Sequence, residues 1–337
     1  AVSFLFAATA LAADWPMLGG RPDRNMVSTE KDLPTTWDAG GKKPKKIIKW
    51  VAPLGRVTFG NPVISGGRVF IGTDHDTPDP TQQRGVLKCF SEKDGTLLWQ
   101  ATHDKLRNPG EDDCTIGICS TPAVAGDRVY YVSNRGELEA RAVADGKEAW
   151  LLDMRAALGI SPNQASASSP LVVGDLVFVV TGNGTDYKTG KIKNPAAPSF
   201  IAVDRHTGKV AWQDSSPGSK IISGQWGSPG YGVAAGQPQV AFPGGDGWLY
   251  SFEPLTGKLL WKFNAKAHEK PSPSGEPETI FNLLGAPVFV GDRVHFAIGE
   301  PEAGTGPGAL RCIDATQRGD ACQGGACTPQ AANPNCC

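Results

Sequence analysis

The chain has 337 residues, which is long enough for two ordinary domains or for one large repeat architecture. Its 33 Lys and Arg residues nearly balance its 34 Asp and Glu residues, so the sequence offers no basic surface for nucleic acid or an anionic membrane. Glycine (42) and proline (27) are abundant, and long apolar segments at helical spacing are missing. The composition therefore predicts an all-β fold of short strands and tight turns.

The first twelve residues are mostly apolar and end in Ala10-Leu11-Ala12, the small-x-small pattern that a signal peptidase recognises. We interpret residues 1–12 as a signal-peptide remnant, with a buried first strand as the alternative. No segment of the chain reaches the roughly 20 apolar residues that a membrane span requires. The sequence therefore predicts a periplasmic or secreted protein without a membrane span, with an N-terminal extension over residues 13–44.

A repeated unit follows over residues 45–318. Each copy opens with a residue before proline and a short apolar strand, turns at Gly-Asp-Arg or a similar sequence, and continues into a second apolar strand. The five openings are Asn61-Pro62, Thr121-Pro122, Ser169-Pro170, Ser228-Pro229 and Ala286-Pro287. Four strands per copy, repeated every ~50 to 60 residues, predict the blades of a β-propeller.

The first four copies close with a tight Asp-Gly or Thr-Gly turn and a strand that carries a tryptophan. Glycine supplies the positive φ that such a two-residue turn needs. We expect each indole to pack between neighbouring blades, where an aromatic ring buries roughly 150 to 250 Å². A structural role is therefore assigned to Trp50, Trp99, Trp150, Trp212 and Trp261.

The segment from Ala202 to Trp212 resembles the repeat signature of PQQ-type propellers, and the segment from Gly244 to Trp261 resembles it at greater length. The opening Trp15-Pro16-Met17-Leu18-Gly19-Gly20, with Arg24-Asn25, resembles the N-terminus of exported bacterial members. The chain is thus similar to the PQQ-repeat, quinoprotein-like β-propeller family over residues 14–318. The resemblance implies the fold; the same blades serve enzymes and scaffolds alike.

The closure of the ring has two interpretations. The sequence from Lys46 to Trp50 is typical of a fourth strand without its first three, whereas the fifth copy lacks a fourth strand and runs into an irregular Cys-rich tail, residues 319–337. Either the N-terminal strand completes a ring of about five blades, or the chain is a C-terminally truncated part of the seven- or eight-bladed ring that relatives build.

Functional residues are expected on one face of the propeller. The connections between the second and third strands and those between blades are long and meet at one end of the blades, which we call the loop-rich face. A ligand or partner is expected there, near the axis: a protein, a peptide or a glycan.

The resemblance also implies a cofactor site. Val180-Thr181-Gly182-Asn183-Gly184 resembles a segment of quinoprotein dehydrogenases in which the Asn holds Ca²⁺ against PQQ, although Asn-Gly also simply makes a turn. Trp226 offers a stacking surface for the quinone or packs under its loop. Where those enzymes carry a catalytic Asp, the sequence reads Gln225-Trp226-Gly227-Ser228, without an acid.

Other polar clusters leave alternatives open. Cys114 and Cys119 form a disulfide in an oxidising compartment, remain two thiols or, as a third alternative, bind a metal. Asp74-His75-Asp76 with Asp79 is either a cation site or a solvated loop. The tail cysteines are candidates for a small metal or disulfide cluster: Cys322, Cys327, Cys336 and Cys337.

Two functions are consistent with these observations. The first is an exported binding platform without catalytic activity. The alternative is an enzyme, a periplasmic dehydrogenase of alcohols or sugars that depends on PQQ and Ca²⁺, with Asn183 as a cation ligand and Trp226 near the cofactor. The missing acid favours the first.

Overall fold

The structure, a computed structural model, describes most of the chain between residues 13 and 320. The described ranges are 13–33, 35, 48–75, 79, 83–106, 108, 110–113, 115–265, 283–299 and 308–320. The expected signal-peptide remnant and the cysteines of the tail lie outside them.

The described residues are almost entirely β, in five antiparallel sheets that follow the repeat copies in chain order. The first sheet contains β1 Val63–Ser65, β2 Arg68–Asp74, β3 Arg84–Ser91 and β4 Leu97–Asp104. The second contains β5 Ala123–Ala125, β6 Arg128–Val132, β7 Glu137–Ala142 and β8 Glu148–Asp153, followed by the short helix α1 Met154–Leu158. The third contains β9 Leu171–Val173, β10 Leu176–Val180, β11 Phe200–Asp204 and β12 Val210–Asp214, followed by a 3-10 turn at Gly218–Lys220. The fourth contains β13 Gly230–Ala234, β14 Gln237–Pro243, β15 Trp248–Phe252 and β16 Leu259–Asn264, and the fifth contains β17 Val288–Val290, β18 Arg293–Ile298 and β19 Ala309–Asp314. A last strand, β20 Gly319–Asp320, pairs in parallel with β16.

The hydrophobic cores lie between successive sheets rather than inside any one of them. One buried cluster joins the first and second sheets, a larger one joins the second, third and fourth, and another joins the fourth and fifth. Because a single sheet cannot bury both of its apolar faces, each sheet depends on its neighbours in the series. The sheets are the blades of a β-propeller, and the predicted all-β propeller fold is confirmed.

The indole rings pack on the closing turns of the next blade. Trp99 of β4 lies on Gly146, where a Cβ would come within 2.6 Å of the ring, and its Nε1 donates to the Val143 carbonyl at 3.0 Å. The same pairing recurs between successive blades in Trp150 on Gly208 and Trp212 on Gly257.

Trp50 packs on a closing turn in the same way, although it does not belong to one of the five sheets. It lies on Gly95 of the first blade and donates to the Glu92 carbonyl at 2.8 Å. Residues 48–50 are not in a strand, so the prediction of a fourth strand is wrong for them; Lys46 and Ile47 lie outside the described residues. Trp50 thus lies where the tryptophan of a preceding blade would, and it packs against Val69, Ile71 and Phe90 of the first blade.

The fifth blade departs from the repeat at its closing turn. Arg318 stands where the other copies have the closing glycine, and the Trp261 Nε1 donates instead to Gln239 Oε1 at 2.7 Å. The Gln239 amide in turn donates to the Ala315 carbonyl at 2.7 Å, the position equivalent to Val143. The chain then turns back to β16 through Gly319, so the tail expected to be irregular from residue 319 begins with a short strand.

The N-terminal segment, residues 14–25, crosses the inner strands of all five blades. Trp15 pairs with Ile64 of β1, and the Pro16 carbonyl accepts from Val124 of β5. The carbonyls of Pro22 and Asp23 accept from Tyr231 of β13 and Phe289 of β17. The third blade is reached by Arg24, whose guanidinium donates to the carbonyls of Ser169 and Pro170 at 3.4 and 3.3 Å. This segment therefore ties the blades together at the axis.

None of the helices among the described residues has the length and apolar character needed to cross a membrane.

Candidate functional site at the propeller axis

A cavity of ≈ 710 Å³ opens at the axis, at the end of the blades where the inter-blade segments enter the inner strands. The residue before proline in every repeat copy lines it. These residues are Asn61, Thr121, Ser169, Ser228 and Ala286. The volume lies in the range of ordinary ligand pockets.

Three of these residues form a hydroxyl belt around the cavity. The Asn61 N–H donates to Thr121 Oγ1 at 2.9 Å, the Thr121 N–H to Ser169 Oγ at 3.0 Å, and the Ser169 N–H to Ser228 Oγ at 2.9 Å. Each of the first three blades thus donates a backbone N–H to a side-chain hydroxyl of the following blade. The belt ends at Ala286, which has no hydroxyl to offer Ser228.

Arg24 forms part of the floor and is almost completely buried. Besides the third blade, it reaches the Pro229 carbonyl at 2.8 Å and the Leu18 carbonyl at 2.6 Å. Burial lowers the pKa of Arg24 to about 9, so the guanidinium remains charged at neutral pH. Among the described residues, its hydrogen-bond acceptors are backbone carbonyls and not carboxylates. The floor of the cavity therefore carries a positive charge.

The walls are inter-blade segments bonded to one another. The Asp113 N–H donates to the Gln164 carbonyl, and the Gln164 N–H donates to the Gly110 carbonyl, each at 2.8 Å. Close by, Glu111 accepts from Ser161, Lys193 and Arg155. Burial opposes ionisation of Glu111, but these hydrogen bonds and charges outweigh it and lower its pKa. The walls of the cavity are therefore fixed before any ligand arrives.

The rim of the cavity is apolar. Met26, Phe59 and Leu284 line it with 64%, 63% and 44% of their surface exposed. Trp226 also lines it, and its Nε1 donates to the Asn163 carbonyl at 3.1 Å, which fixes the indole in the wall. Exposed apolar side chains gathered at one concave site are typical of binding surfaces.

Asn183, the expected Ca²⁺ ligand, does not line this cavity. It is fully buried; its Oδ1 accepts from the Ser161 N–H and its Nδ2 donates to the Asn194 carbonyl, each at 3.0 Å. Its backbone carbonyl accepts from Gln225 at 2.6 Å. Trp226 therefore lines the cavity, whereas Asn183 does not and is linked through its backbone carbonyl to Gln225, the residue next to Trp226.

The other sequence candidates are scattered. Asp74 is buried and accepts from the Val57 N–H at 2.9 Å, so its carboxylate already has partners, whereas Asp76 lies outside the described residues. Cys119 lines the cavity, but Cys114 also lies outside the described residues, and their disulfide stays a prediction.

Sequence reasoning missed Arg24 and the hydroxyl belt. The belt had a signal, because the residue before proline is Asn, Thr, Ser and Ser in the first four copies. The N-terminal resemblance includes Arg24, but nothing in the sequence predicts its burial, since an arginine in a glycine- and proline-rich segment is ordinarily exposed.

The comparisons with known proteins agree with this architecture. The PQQ-repeat family model described as outer membrane protein assembly factor BamB matches residues 83–321, more than half of the chain. The chain belongs to this family. Within the BamB-like family, it is 27% identical over 101 residues to the outer membrane protein assembly factor BamB of Alkalilimnicola ehrlichii. That alignment covers 30% of this chain and 24% of the relative, so the match spans about a quarter of the relative's length.

Two solved structures share the fold of this BamB-like chain. A europium-containing methanol dehydrogenase matches with a TM-score of 0.55 at 14% identity, over 91% of this chain and 57% of its own. The quinohemoprotein alcohol dehydrogenase of Comamonas testosteroni matches with a TM-score of 0.54 at 16% identity, over 90% of this chain and 46% of its own. The chain spans about half the length of each, and identities this low indicate a common fold alone.

Proposed function

We propose that this protein is an exported binding platform without catalytic activity, and that it holds an extended segment of a protein partner in the axial cavity. The observation that carries the proposal is the apolar rim of Met26, Phe59 and Leu284 around a fixed, polar-floored cavity. Aromatic residues and methionine are enriched where proteins meet. The serine and threonine hydroxyls of the belt suit the main chain of a bound segment.

The family supports a protein rather than a glycan as the occupant. Its model and the curated relative are both named for outer membrane protein assembly, and such a role requires protein partners. The name of the family and the apolar residues 1–12 together support a periplasmic location for the chain.

The dehydrogenase is the second candidate, and it rests on the likeness to the two dehydrogenase structures. The residues fit PQQ and Ca²⁺ poorly. Among the described residues, the cavity lining contains one carboxylate, Asp113, whose Oδ1 already accepts from the N–H and hydroxyl of Thr115, each at 2.7 Å. The side-chain oxygen of Asn183 is likewise occupied. We therefore derive no catalytic step through the quinone.

Titration with defined peptides tests the platform. The probes are fluorescein-labelled ten-residue peptides in which apolar residues alternate with Ser and Thr, and a control set in which Ser replaces the apolar residues. Phe59→Ser is the variant at the rim. Leu255→Ser is its matched control, because Leu255 is 76% exposed but lies in the turn between β15 and β16, at the other end of the blades.

Fluorescence anisotropy should show saturable binding of the apolar set. Phe59→Ser should weaken that binding about tenfold, as removal of a central apolar anchor does, while Leu255→Ser leaves it unchanged. Absence of binding, or equal weakening by both substitutions, would contradict the proposal. Retained quinone absorption and dye reduction with alcohols after addition of PQQ and Ca²⁺ would establish the dehydrogenase instead.

A further inference from the structure

Three potential metal ligands meet between the first and second blades, away from the axial cavity. His103 lies near the end of β4, and Glu137 and Glu139 lie on β7 of the next blade. One donor atom of each lies within 4.8 Å of the others, and all three residues are buried.

Hydrogen-bond directions fix which histidine nitrogen carries the proton. The Tyr131 hydroxyl donates its single proton to Glu139 Oε2 at 2.7 Å. The His103 Nε2, 2.9 Å from the same hydroxyl oxygen, must therefore be the donor in that contact. In the neutral imidazole, Nδ1 then carries no proton and has a free lone pair. Nδ1 lies 3.2 Å from Glu139 Oε1 and 3.9 Å from Glu137 Oε2.

Glu139 Oε1 has no hydrogen-bond donor among the described residues. Glu139 is fully buried, and this oxygen accepts no hydrogen bond from the described residues. The other oxygen of Glu139 is held by Tyr131 and Arg141. One acceptor atom of each residue therefore lies within 4.8 Å of the other two in a buried site, where a cation would offset their mutual repulsion.

Both oxygens of the Glu137 carboxylate accept hydrogen bonds, including Oε2, the oxygen that faces His103 Nδ1. Its Oε1 accepts from Arg135 at 2.8 Å and its Oε2 from Ser133 at 2.8 Å. Ligands that are oriented by hydrogen bonds from neighbouring side chains are typical of metal sites, as is an imidazole whose second nitrogen is hydrogen-bonded.

We propose that His103, Glu137 and Glu139 bind one divalent transition-metal ion, best matched by Zn²⁺, which joins the first blade to the second. One imidazole nitrogen and two carboxylate oxygens are ligands of Zn²⁺, whereas Ca²⁺ and Mg²⁺ prefer oxygen alone. Three protein ligands leave a fourth position for water. An ion bound only by the folded protein stabilises it by mass action, here across a blade interface.

The test uses the full chain, stripped of metal, with serine in place of Cys322, Cys327, Cys336 and Cys337, so that the clustered thiolates of the tail do not contribute. Calorimetric titration should show one equivalent of Zn²⁺, and Zn²⁺ should raise the melting temperature in a way that EDTA reverses. His103→Gln and Glu139→Gln should abolish both effects. His206→Gln, at a histidine whose side chain is 54% exposed, is the matched control and should retain them.

A second readout needs no substitution at the site. Co²⁺ bound to the same protein should give the visible spectrum of a nitrogen- and oxygen-ligated ion and strongly shifted proton resonances from the His103 imidazole. Failure of the folded protein to bind one equivalent, binding that survives in a folded His103→Gln variant, or unshifted His103 resonances would each overturn the proposal.

Discussion

The Trp99 indole rests on Gly146, with no room for a methyl group between them: a Cβ on the glycine would come within 2.6 Å of the ring. Gly146 has a φ of 73°, so the same residue makes the hairpin turn and provides the surface on which the preceding blade packs. Repetition of this pair at Trp150–Gly208 and Trp212–Gly257 sets the spacing of the blades.

Gly146→Ala should destabilise the protein more than Gly126→Ala does. Both glycines have positive φ, and nothing lies within 4 Å of a Cβ at Gly126. The backbone strain of about 1 to 2 kcal/mol is therefore common to both variants, and only Gly146→Ala adds an overpacking cost of about 1 to 3 kcal/mol. Urea unfolding measures the difference; equal losses would show that the indole contact contributes nothing.

Arg24→Lys should cost several kcal/mol of unfolding free energy. The guanidinium serves the carbonyls of Leu18, Ser169, Pro170 and Pro229, and an ammonium group cannot reach all of them. Each buried acceptor left unpaired costs about 1 to 3 kcal/mol. The matched control is Arg21→Lys, at a residue whose side chain is 59% exposed, which should change stability by no more than about 0.5 kcal/mol. Equal losses of stability in the two variants, measured by thermal or urea unfolding, would contradict the role of Arg24 in linking the blades at the axis.

Asn183→Ala should reduce stability equally in Ca²⁺ and in EDTA. The substitution removes the hydrogen bonds to the Ser161 N–H and the Asn194 carbonyl, at a cost of about 1 to 3 kcal/mol for each group left unpaired. A structural residue has no reason to respond to the ion. Melting curves in both buffers decide the matter: Ca²⁺ stabilisation seen in the wild type and lost in Asn183→Ala would favour the cofactor role.

Cys119 should resist alkylation in the reduced, folded protein. Burial raises its pKa to about 12, from an ordinary value near 9. At pH 8 the thiolate, which is the reactive species, is then about a thousandfold scarcer than in the unfolded chain. Iodoacetamide labelling mapped by mass spectrometry, before and after denaturation, measures this ratio. Equal labelling rates in the two states would show that the thiol is not buried as described.

The fold was predictable because its signals are local. A proline-led strand, a glycine turn and a strand with tryptophan recur within each copy, and adjacent strands pair in chain order. Arg318, at the place of a closing glycine, even marks the copy whose turn departs from the others. The backbone physics of a tight turn is contained in a few consecutive residues.

The site was less predictable because its contacts are remote in sequence. Arg24 meets the Pro229 carbonyl 205 residues away, and His103 meets Glu139 across a blade interface. Asn183 resembled a ligand in its local sequence, yet Ser161 and Asn194 occupy its side chain. The partner of a polar side chain is set by tertiary packing, which local patterns do not encode.

Site-specific photo-cross-linking tests the binding platform most directly. A benzophenone amino acid is placed at Phe59, on the rim of the cavity, or at the more exposed Leu255, at the other end of the blades, and the protein is irradiated in cells. The account predicts a discrete protein adduct from position 59 alone, and that a synthetic peptide of the cross-linked segment binds the wild type more tightly than Phe59→Ser. No adduct from position 59, or the same adducts from both positions, would contradict it.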